Sequence, residues 1–120
     1  MAGMKKMSFE SPEEIRELPD GMGKIELVNL SEGAVGRATF SPGWQWSQHV
    51  KPSAGTDSCQ AAHTTYIVSG RIKVALDDGQ EMEFGPGDLG IIPAGHDAWV
   101  VGDEPCISVD WQGMADYARG

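Results

Sequence analysis

The sequence has few cysteines, few basic residues and no long apolar run. Its two cysteines, Cys59 and Cys106, are too few for a disulfide framework, so we expect both thiols to be reduced. Lys and Arg number 9 against 18 Asp and Glu, which gives a net charge of -9. Scattered basic residues in an acidic chain argue against nucleic acid or a membrane surface as a partner. Because no apolar signal segment and no membrane-spanning run is present, the sequence predicts a cytoplasmic protein.

Glycine and proline are frequent by contrast, with 16 and 7 residues, and they divide the chain into short apolar runs. Even spacing of such runs, with no helical pattern between them, is typical of an antiparallel β-sandwich or β-barrel. A chain of this length has room for one core. We therefore expect one all-β domain over 1–120, with its core at about 24–111 and an N-terminal extension over 1–23. The predicted strands are Ile25–Leu30, Val35–Phe40, Trp44–Val50, His63–Ser69, Ile72–Leu76, Glu81–Phe84, Leu89–Ile92, Ala98–Val101 and Ile107–Trp111.

A short N-terminal helix is predicted ahead of these strands. Ser11, Pro12 and Glu14 resemble a capping box, with the serine at the N-cap and the glutamate reaching back to it. The helix would run from Pro12 to Leu18 and end at the sequence Pro-Asp-Gly that follows. The final segment, 113–120, is expected to be a strap or tail.

The register of one hairpin can also be predicted. A three-residue loop over 77–79 pairs Ile72 with Phe84 and Val74 with Met82, which places apolar side chains together on one face. The same loop puts Gly79 at the left-handed position that such turns favour. A two-residue loop would instead set an apolar residue opposite a charge.

Two blocks of the sequence, HTTYIVSG at 63–70 and GDLGIIPAGH at 87–96, resemble the two motifs of the cupin superfamily. The first cupin motif reads glycine, H-x-H, three or four residues, glutamate, six residues and glycine. The second reads glycine, five residues, P-x-G, two residues, histidine, three residues and asparagine. The resemblance covers about 41–111 and implies a small antiparallel β-barrel, or double-sheet jelly roll, with one metal site in its mouth.

The resemblance also implies which residues bind the metal. When the first motif is aligned on Gly70, its glutamate position holds His63 and its two histidine positions hold Asp57 and Cys59. In the second motif His96 follows P-x-G directly, and a turn shortened by two residues leaves it at the histidine position. All four metal positions therefore carry side chains able to bind a metal, although only His96 is the type usual in the family.

These four side chains suit two metals. A thiolate, two imidazoles and a carboxylate favour tetrahedral zinc. If Cys59 is left out, His63, His96 and Asp57 form the two-histidine, one-carboxylate triad of non-haem iron. A site that no longer binds metal is the remaining alternative. His49 corresponds to no motif position and is a candidate fifth ligand, a base or an ordinary rim residue.

The sequence leaves the activity open. A metal-dependent enzyme acting on a small organic molecule, a non-catalytic sensing or binding module for such a molecule, and a metal-free structural barrel are all compatible with this fold. Trp44 and Trp46 would share one face of a strand, either as core or as an aromatic wall for a ligand. Resemblance to small cupins also implies a homodimer in which N-terminal strands extend the neighbour's sheet.

Overall fold

A computed structural model describes residues 3–30 and 33–111, which form two antiparallel β-sheets. The large sheet has the strand order β1-β2-β3-β9-β4-β7, and the small sheet has the order β6-β5-β8. The strands are β1 (Glu14–Glu17), β2 (Gly23–Leu30), β3 (Gly33–Phe40), β4 (His63–Ser69), β5 (Arg71–Leu76), β6 (Glu81–Phe84), β7 (Leu89–Ile92), β8 (His96–Val101) and β9 (Cys106–Asp110). Two single-turn helices, α1 (Trp46–His49) and α2 (Lys51–Ala54), lie between β3 and β4, and a short 3₁₀ turn (Pro19–Gly21) lies between β1 and β2.

The core lies between the two sheets because each strand turns alternate side chains inward. Along β4, β8 and β9 the buried and partly exposed positions alternate strictly over most of each strand. The inward positions are mainly apolar and form one cluster with both tryptophans of the 44–46 segment. The polar inward exceptions are His63, Thr65, His96, Ser108 and Asp110.

The chain passes from the large sheet to the small sheet at a single residue, Gly70, between β4 and β5. Its φ of 76° lies in the left-handed region, and a Cβ there would collide with the backbone of Pro105 and Cys106. Only glycine fits both constraints. The end of the cupin-like block HTTYIVSG is therefore a tight crossing from the large sheet to the small one.

The structure confirms the all-β prediction and most of the strands. β4, β6 and β7 have the predicted bounds, and five other strands differ from them by one or two residues at an end. The hairpin register is also confirmed, since Ile72 pairs with Phe84 and Val74 with Met82, and Gly79 has a φ of 95°.

The predicted N-terminal helix is wrong. Residues Glu14–Glu17 form β1, which pairs with β2 at the edge of the large sheet. The carboxylate of Glu13 accepts a hydrogen bond of 2.6 Å from the side chain of Asn29 across the sheet. A helix of about two turns is marginal by itself, and pairing with an existing strand outweighs the local capping signal.

The strand predicted over Trp44–Val50 is also wrong. Trp44 lies in a turn, and the chain then forms helix α1 from Trp46. Both tryptophans are buried, and their spacing of two residues resembles the alternation of a strand. This segment, however, pairs with β8 through a single isolated bridge between Gln45 and Trp99. The predicted tail at 113–120 lies outside the described residues. Across the described ranges, no helix is long and apolar enough to cross a membrane.

Candidate metal centre

Three buried side chains converge at one end of the space between the sheets. The ligand atoms of Cys59, His63 and His96 all lie within 4.8 Å of one another. The Sγ atom of Cys59 lies 4.0 Å from Nε2 of His63. The imidazole rings of His63 and His96 have centroids 5.3 Å apart and meet edge to face. The structure therefore brings together three of the four residues that the cupin resemblance implied.

Each of the three residues comes from a different part of the fold. His63 is the first residue of β4 in the large sheet, and His96 is the first residue of β8 in the small sheet. Cys59 lies in the loop before β4, and its N–H donates a hydrogen bond of 2.7 Å to the carbonyl of His96. The carbonyl of Cys59 accepts a second bond of 2.7 Å from the N–H of Gly95. These backbone bonds hold the thiol beside the two histidines.

Both imidazoles are oriented through Nδ1. Nδ1 of His63 lies 2.7 Å from Oδ2 of Asp110, and Nδ1 of His96 lies 2.8 Å from the carbonyl oxygen of Pro93. A carboxylate and a carbonyl only accept hydrogen bonds, so Nδ1 is the protonated nitrogen of each ring. Nε2 is then the nitrogen of each ring that could bind a metal, and that of His63 faces Sγ of Cys59. Such hydrogen bonds to the far nitrogen are characteristic of metal-binding histidines.

The cluster changes the acidity of its own members. Burial opposes ionisation of the Cys59 thiol, but hydrogen bonds with His63 and His96 outweigh it and lower the pKa of Cys59 to about 6. Burial also opposes protonation of His63, yet its bonds to Asp110 and Cys59 raise the pKa of this imidazole to about 9. A thiolate next to a strongly basic imidazole is a good ligand pair for a soft or borderline cation.

The structure does not bring Asp57 to this cluster, which corrects the four-ligand prediction. Its side chain is fully exposed in a bend, and its carboxylate lies 3.8 Å from Nζ of Lys51. His49 does not join the three ligands either. Its Nδ1 lies 3.0 Å from the backbone nitrogen of Gln45 at the start of α1, so this ring serves a local role.

Asp110 is the residue that sequence reasoning missed. It ends β9, is 2% exposed and binds His63 on the neighbouring strand β4 of the same sheet. The signal was present in the sequence, because Ser108 and Asp110 occupy alternate positions of the predicted strand Ile107–Trp111. An acidic side chain on the inward face of a strand needs a partner, and His63 is that partner.

A cavity adjoins the two histidines. It has about 510 Å³ of empty space, including the part that is open to solvent. One region of its wall is polar, with His63, His96, Asp110, Thr65 and Ser108. The remaining wall is apolar and includes the aromatic side chains of Phe40, Trp44, Trp46 and Phe84. Cys59 is not part of the cavity wall, so a ligand in the cavity would meet the histidine side of the cluster.

The ligand atoms are somewhat farther apart than those of a tetrahedral zinc site. In a tetrahedral zinc site, bonds of about 2.3 Å to sulfur and about 2.1 Å to nitrogen place these two atoms about 3.6 Å apart. The Cys59 to His63 distance is 4.0 Å, and no pair of ligand atoms exceeds 4.8 Å. Small side-chain movements would close that difference. Three protein ligands leave a fourth position of a tetrahedral ion free.

Two antiparallel sheets around a histidine-bearing cavity define a cupin fold. A family comparison makes this specific, because residues 39–112 match the EutQ-like cupin domain. The match spans well over half of the chain, and the chain belongs to this family. The comparison confirms the cupin resemblance of the two sequence blocks. No curated protein sequence matches the chain.

Solved structures show the same fold at low sequence identity. A protein of unknown function (DUF1255) from Acidithiobacillus ferrooxidans has a TM-score of 0.59 and 21% identity over 82% of this chain and 85% of that chain. The polyketide cyclase RemF from Streptomyces resistomycificus has a TM-score of 0.60 and 17% identity, covering 90% of this chain and 78% of that one. The oxalate decarboxylase of Lactobacillus farciminis has a TM-score of 0.59 and 22% identity. Coverage there is 87% of this chain but only 32% of the decarboxylase.

Proposed function

We propose that this cupin binds one zinc ion through Cys59, His63 and His96 and holds a small organic molecule in the adjoining cavity. The observation that carries the proposal is the orientation of the two imidazoles. Each has its Nδ1 occupied by Asp110 or Pro93 and its Nε2 directed at the cluster. These bonds orient both rings for a metal, and His63, whose pKa is about 9, would release its Nε2 proton when the metal binds.

Zinc is preferred over iron for reasons of ligand chemistry. The iron alternative needed the carboxylate of Asp57 beside the two histidines, and that side chain is exposed and paired with Lys51. Asp110 does not replace it, because its Oδ2 is bound to Nδ1 of His63. The remaining set of one thiolate and two imidazoles suits zinc.

Three protein ligands, rather than four, favour a site that exchanges ligands. Structural zinc sites are closed by four protein ligands, whereas catalytic sites keep one position for water or substrate. The cavity on the histidine side offers space for such a molecule. An open coordination position on the metal is compatible with a metal-dependent enzyme and with a sensing module. A metal-free structural barrel has no such position.

Zinc stoichiometry tests the proposal. We expect purified protein, loaded with zinc and freed of excess, to retain one zinc per chain by native mass spectrometry. His96→Ala should lose it and Cys59→Ser should bind it much more weakly, while Asp57→Ala should retain it. His96 is the better histidine to remove, because His63→Ala also deprives the buried Asp110 of its imidazole partner. Wild-type protein without zinc after loading would refute the proposal.

A second candidate function uses the same side chains without a metal. The order Asp110, His63, Cys59 matches an acid–base–nucleophile triad, with His63 bonded to Asp110 through Nδ1 and facing the thiol through Nε2. The thiolate would attack an ester carbonyl, release the alcohol with a proton from His63, and form a thioester that water then hydrolyses. Zinc-free protein should then hydrolyse p-nitrophenyl acetate, and both zinc and Cys59→Ser should stop the reaction. No turnover by zinc-free protein would eliminate this candidate.

The chain is further proposed to form a homodimer. The outer face of β4 and β7 exposes Tyr66, Val68, Leu89 and Ile91, the last two by 70% and 85%. β7 is also an edge strand of the large sheet, and exposed apolar edges favour association. We expect Ile91→Lys to shift sedimentation toward the monomer if the β7 edge forms the dimer, whereas Ile15→Lys on the opposite edge strand β1 would do so if N-terminal strands extend the neighbour's sheet. A wild-type monomer at high concentration would exclude the dimer.

The proposed compartment is the cytoplasm. Cys59 must be a reduced thiolate to bind a metal, and cytosolic thiols are kept reduced. Both cysteines are free and buried in the structure. Fractionation of cells that express the protein would test the compartment.

A further inference from the structure

Ser108 is an unpartnered polar side chain in the wall of the cavity. It is 6% exposed and lies on the inward face of β9, two residues before Asp110. Its hydroxyl makes no hydrogen bond with any residue in the part of the chain that the structure describes. The other hydroxyl in the cavity wall, that of Thr65, donates to the carbonyl of Val109 at 3.1 Å.

The neighbours of Ser108 explain why it has no partner. Across the sheet it lies opposite Ala38 on β3 and Ile67 on β4, both almost completely buried. Neither side chain can accept or donate a hydrogen bond. The Ser108 hydroxyl is not enclosed like Nε1 of Trp44, because it keeps accessible surface toward the cavity. It is therefore available to hydrogen-bond a molecule that enters the cavity.

The cavity wall restricts what that molecule can be. Among the described residues that line it, none is Lys or Arg, and aromatic and aliphatic side chains predominate. Apart from His63 and a metal bound beside it, an anion with two carboxylates would find no cationic partner in this wall. Trp44 Nε1 is also unpartnered, but it is closed off by its neighbours and offers nothing to a ligand.

We propose that Ser108 is a specificity-determining residue whose hydroxyl hydrogen-bonds the polar oxygen of an uncharged, otherwise apolar small molecule. The apolar part of the molecule lies between the aromatic walls, with its oxygen toward β9. This inference rests on the proposed function for its site and names the ligand class. It does not require that the ligand itself contact the metal.

Two probes of matched shape test the hydrogen bond. Phenol and toluene differ in a hydroxyl and a methyl group, and their dissociation constants can be measured by NMR titration. We expect Ser108→Ala to weaken the binding of phenol, relative to that of toluene, by about tenfold. This factor corresponds to one hydrogen bond of about 1.4 kcal/mol. The same substitution should leave thermal stability unchanged, since it breaks no hydrogen bond within the described part of the chain.

Thr65→Val is the matched control in the same wall. Its hydroxyl is already bonded to Val109, so its loss should lower thermal stability and leave the ratio of phenol to toluene affinities unchanged. Equal effects of Ser108→Ala on both probes, or a loss of stability in that variant, would overturn the inference. So would tighter binding of oxalate than of phenol to zinc-free protein.

The titrations are run on zinc-loaded and zinc-free protein to separate the two proposals. If no zinc binds but phenol still depends on Ser108, the metal proposal fails and this inference stands. If zinc binds stoichiometrically but Ser108→Ala weakens phenol and toluene equally, the metal proposal stands and this inference fails.

Discussion

Asp110 shows how a single buried residue can determine the properties of a site. It supplies no ligand itself, but its carboxylate fixes the ring of His63 and keeps Nδ1 protonated. Carboxylates in this position increase the basicity of the ligating nitrogen. The three-ligand cluster therefore depends on a fourth residue that no metal contacts.

Asp110→Asn should weaken zinc binding by about 10- to 100-fold, the usual cost of losing such a partner. Asparagine keeps the shape of the side chain but not its charge. Competition with a chromophoric chelator would measure the affinity. Asp57→Asn is the matched control, because this exposed aspartate has the same chemistry and lies outside the cluster. Equal losses in the two variants would contradict the role given to Asp110.

The two cysteines should differ sharply in reactivity. Burial raises the pKa of Cys106 to about 11, whereas its histidine neighbours lower the pKa of Cys59 to about 6. In zinc-free protein we expect a small alkylating reagent to modify Cys59 at a rate that rises through pH 6 and then levels off. Zinc should block this modification, because a metal-bound thiolate is a poor nucleophile.

Peptide mass mapping after alkylation would identify the modified residue. Labelling of Cys106 before Cys59, or equal labelling of Cys59 with and without zinc, would show that Cys59 is not a ligand. Neither thiol should be found in a disulfide.

At the residue scale, sequence reasoning named four candidate ligands, and the structure brings three of them together. Cys59, His63 and His96 occupy cupin motif positions, and spacing along the chain was sufficient to identify them. Asp57 also occupies a motif position but lies in a bend, so its side chain turns to solvent. Motif spacing alone does not reveal that the loop joins β8 only at Cys59.

At the element scale, β2 and β3 are joined by a charged pair that the sequence did not suggest. Glu26 lies opposite Arg37, and their side chains form hydrogen bonds of 2.9 and 3.1 Å. Glu26 is buried, and Arg37 also binds Glu10 at 2.8 Å. The arginine thus connects the sheet to the segment that precedes β1. The hydrogen bond from Arg37 to Glu10 and the pairing of β1 with β2 both join residues that are distant in sequence. A helix signal read from neighbouring residues does not include such contacts, which is why the helix prediction was wrong.

Arg37→Met should lower the free energy of unfolding by about 2 kcal/mol at pH 7, because it leaves the buried Glu26 carboxylate without its main donor. The double variant with Glu26→Leu should recover part of this loss. Urea denaturation would measure both. A loss in the double variant at least as large as in Arg37→Met would contradict this account.

The effect of Arg37→Met should depend on pH. The hydrogen bond from Arg37, opposed by burial, lowers the pKa of Glu26 below its ordinary value of 4.5. A lowered carboxyl pKa stabilises the fold above 4.5, and this contribution is lost as the pH falls through the folded-state pKa. The difference between wild type and Arg37→Met should therefore be smaller at pH 3 than at pH 7.

At the scale of the whole molecule, the strand pattern predicted the fold well because turn residues and alternation are local signals. The order of the strands in the sheets is not local. β9 pairs with both β3 and β4, which places Asp110 beside His63 although 47 positions separate them in the chain. The cavity and its polar wall arise from this pairing, and no spacing rule reveals them.

Zinc should stabilise the whole fold, because the unfolded chain lacks the cluster. At about one hundred times the dissociation constant, such binding contributes about 2.7 kcal/mol, which corresponds to a rise in Tm of about 10 °C for a domain of this size. Thermal denaturation with and without zinc would measure the shift. Cys59→Ser should show a much smaller rise than Asp57→Ala. Equal rises in the two variants would mean that zinc binds elsewhere.

X-ray absorption at the zinc edge tests the central claim most directly, because it counts the atoms that bind the metal. For the zinc-loaded protein we predict one sulfur at about 2.3 Å and two imidazole nitrogens at about 2.1 Å, with one further light atom from solvent or ligand. Cys59→Ser should lose the sulfur contribution, and Asp57→Ala should leave the spectrum unchanged. A first shell of oxygen and nitrogen only in the wild-type protein would contradict the proposed site of Cys59, His63 and His96.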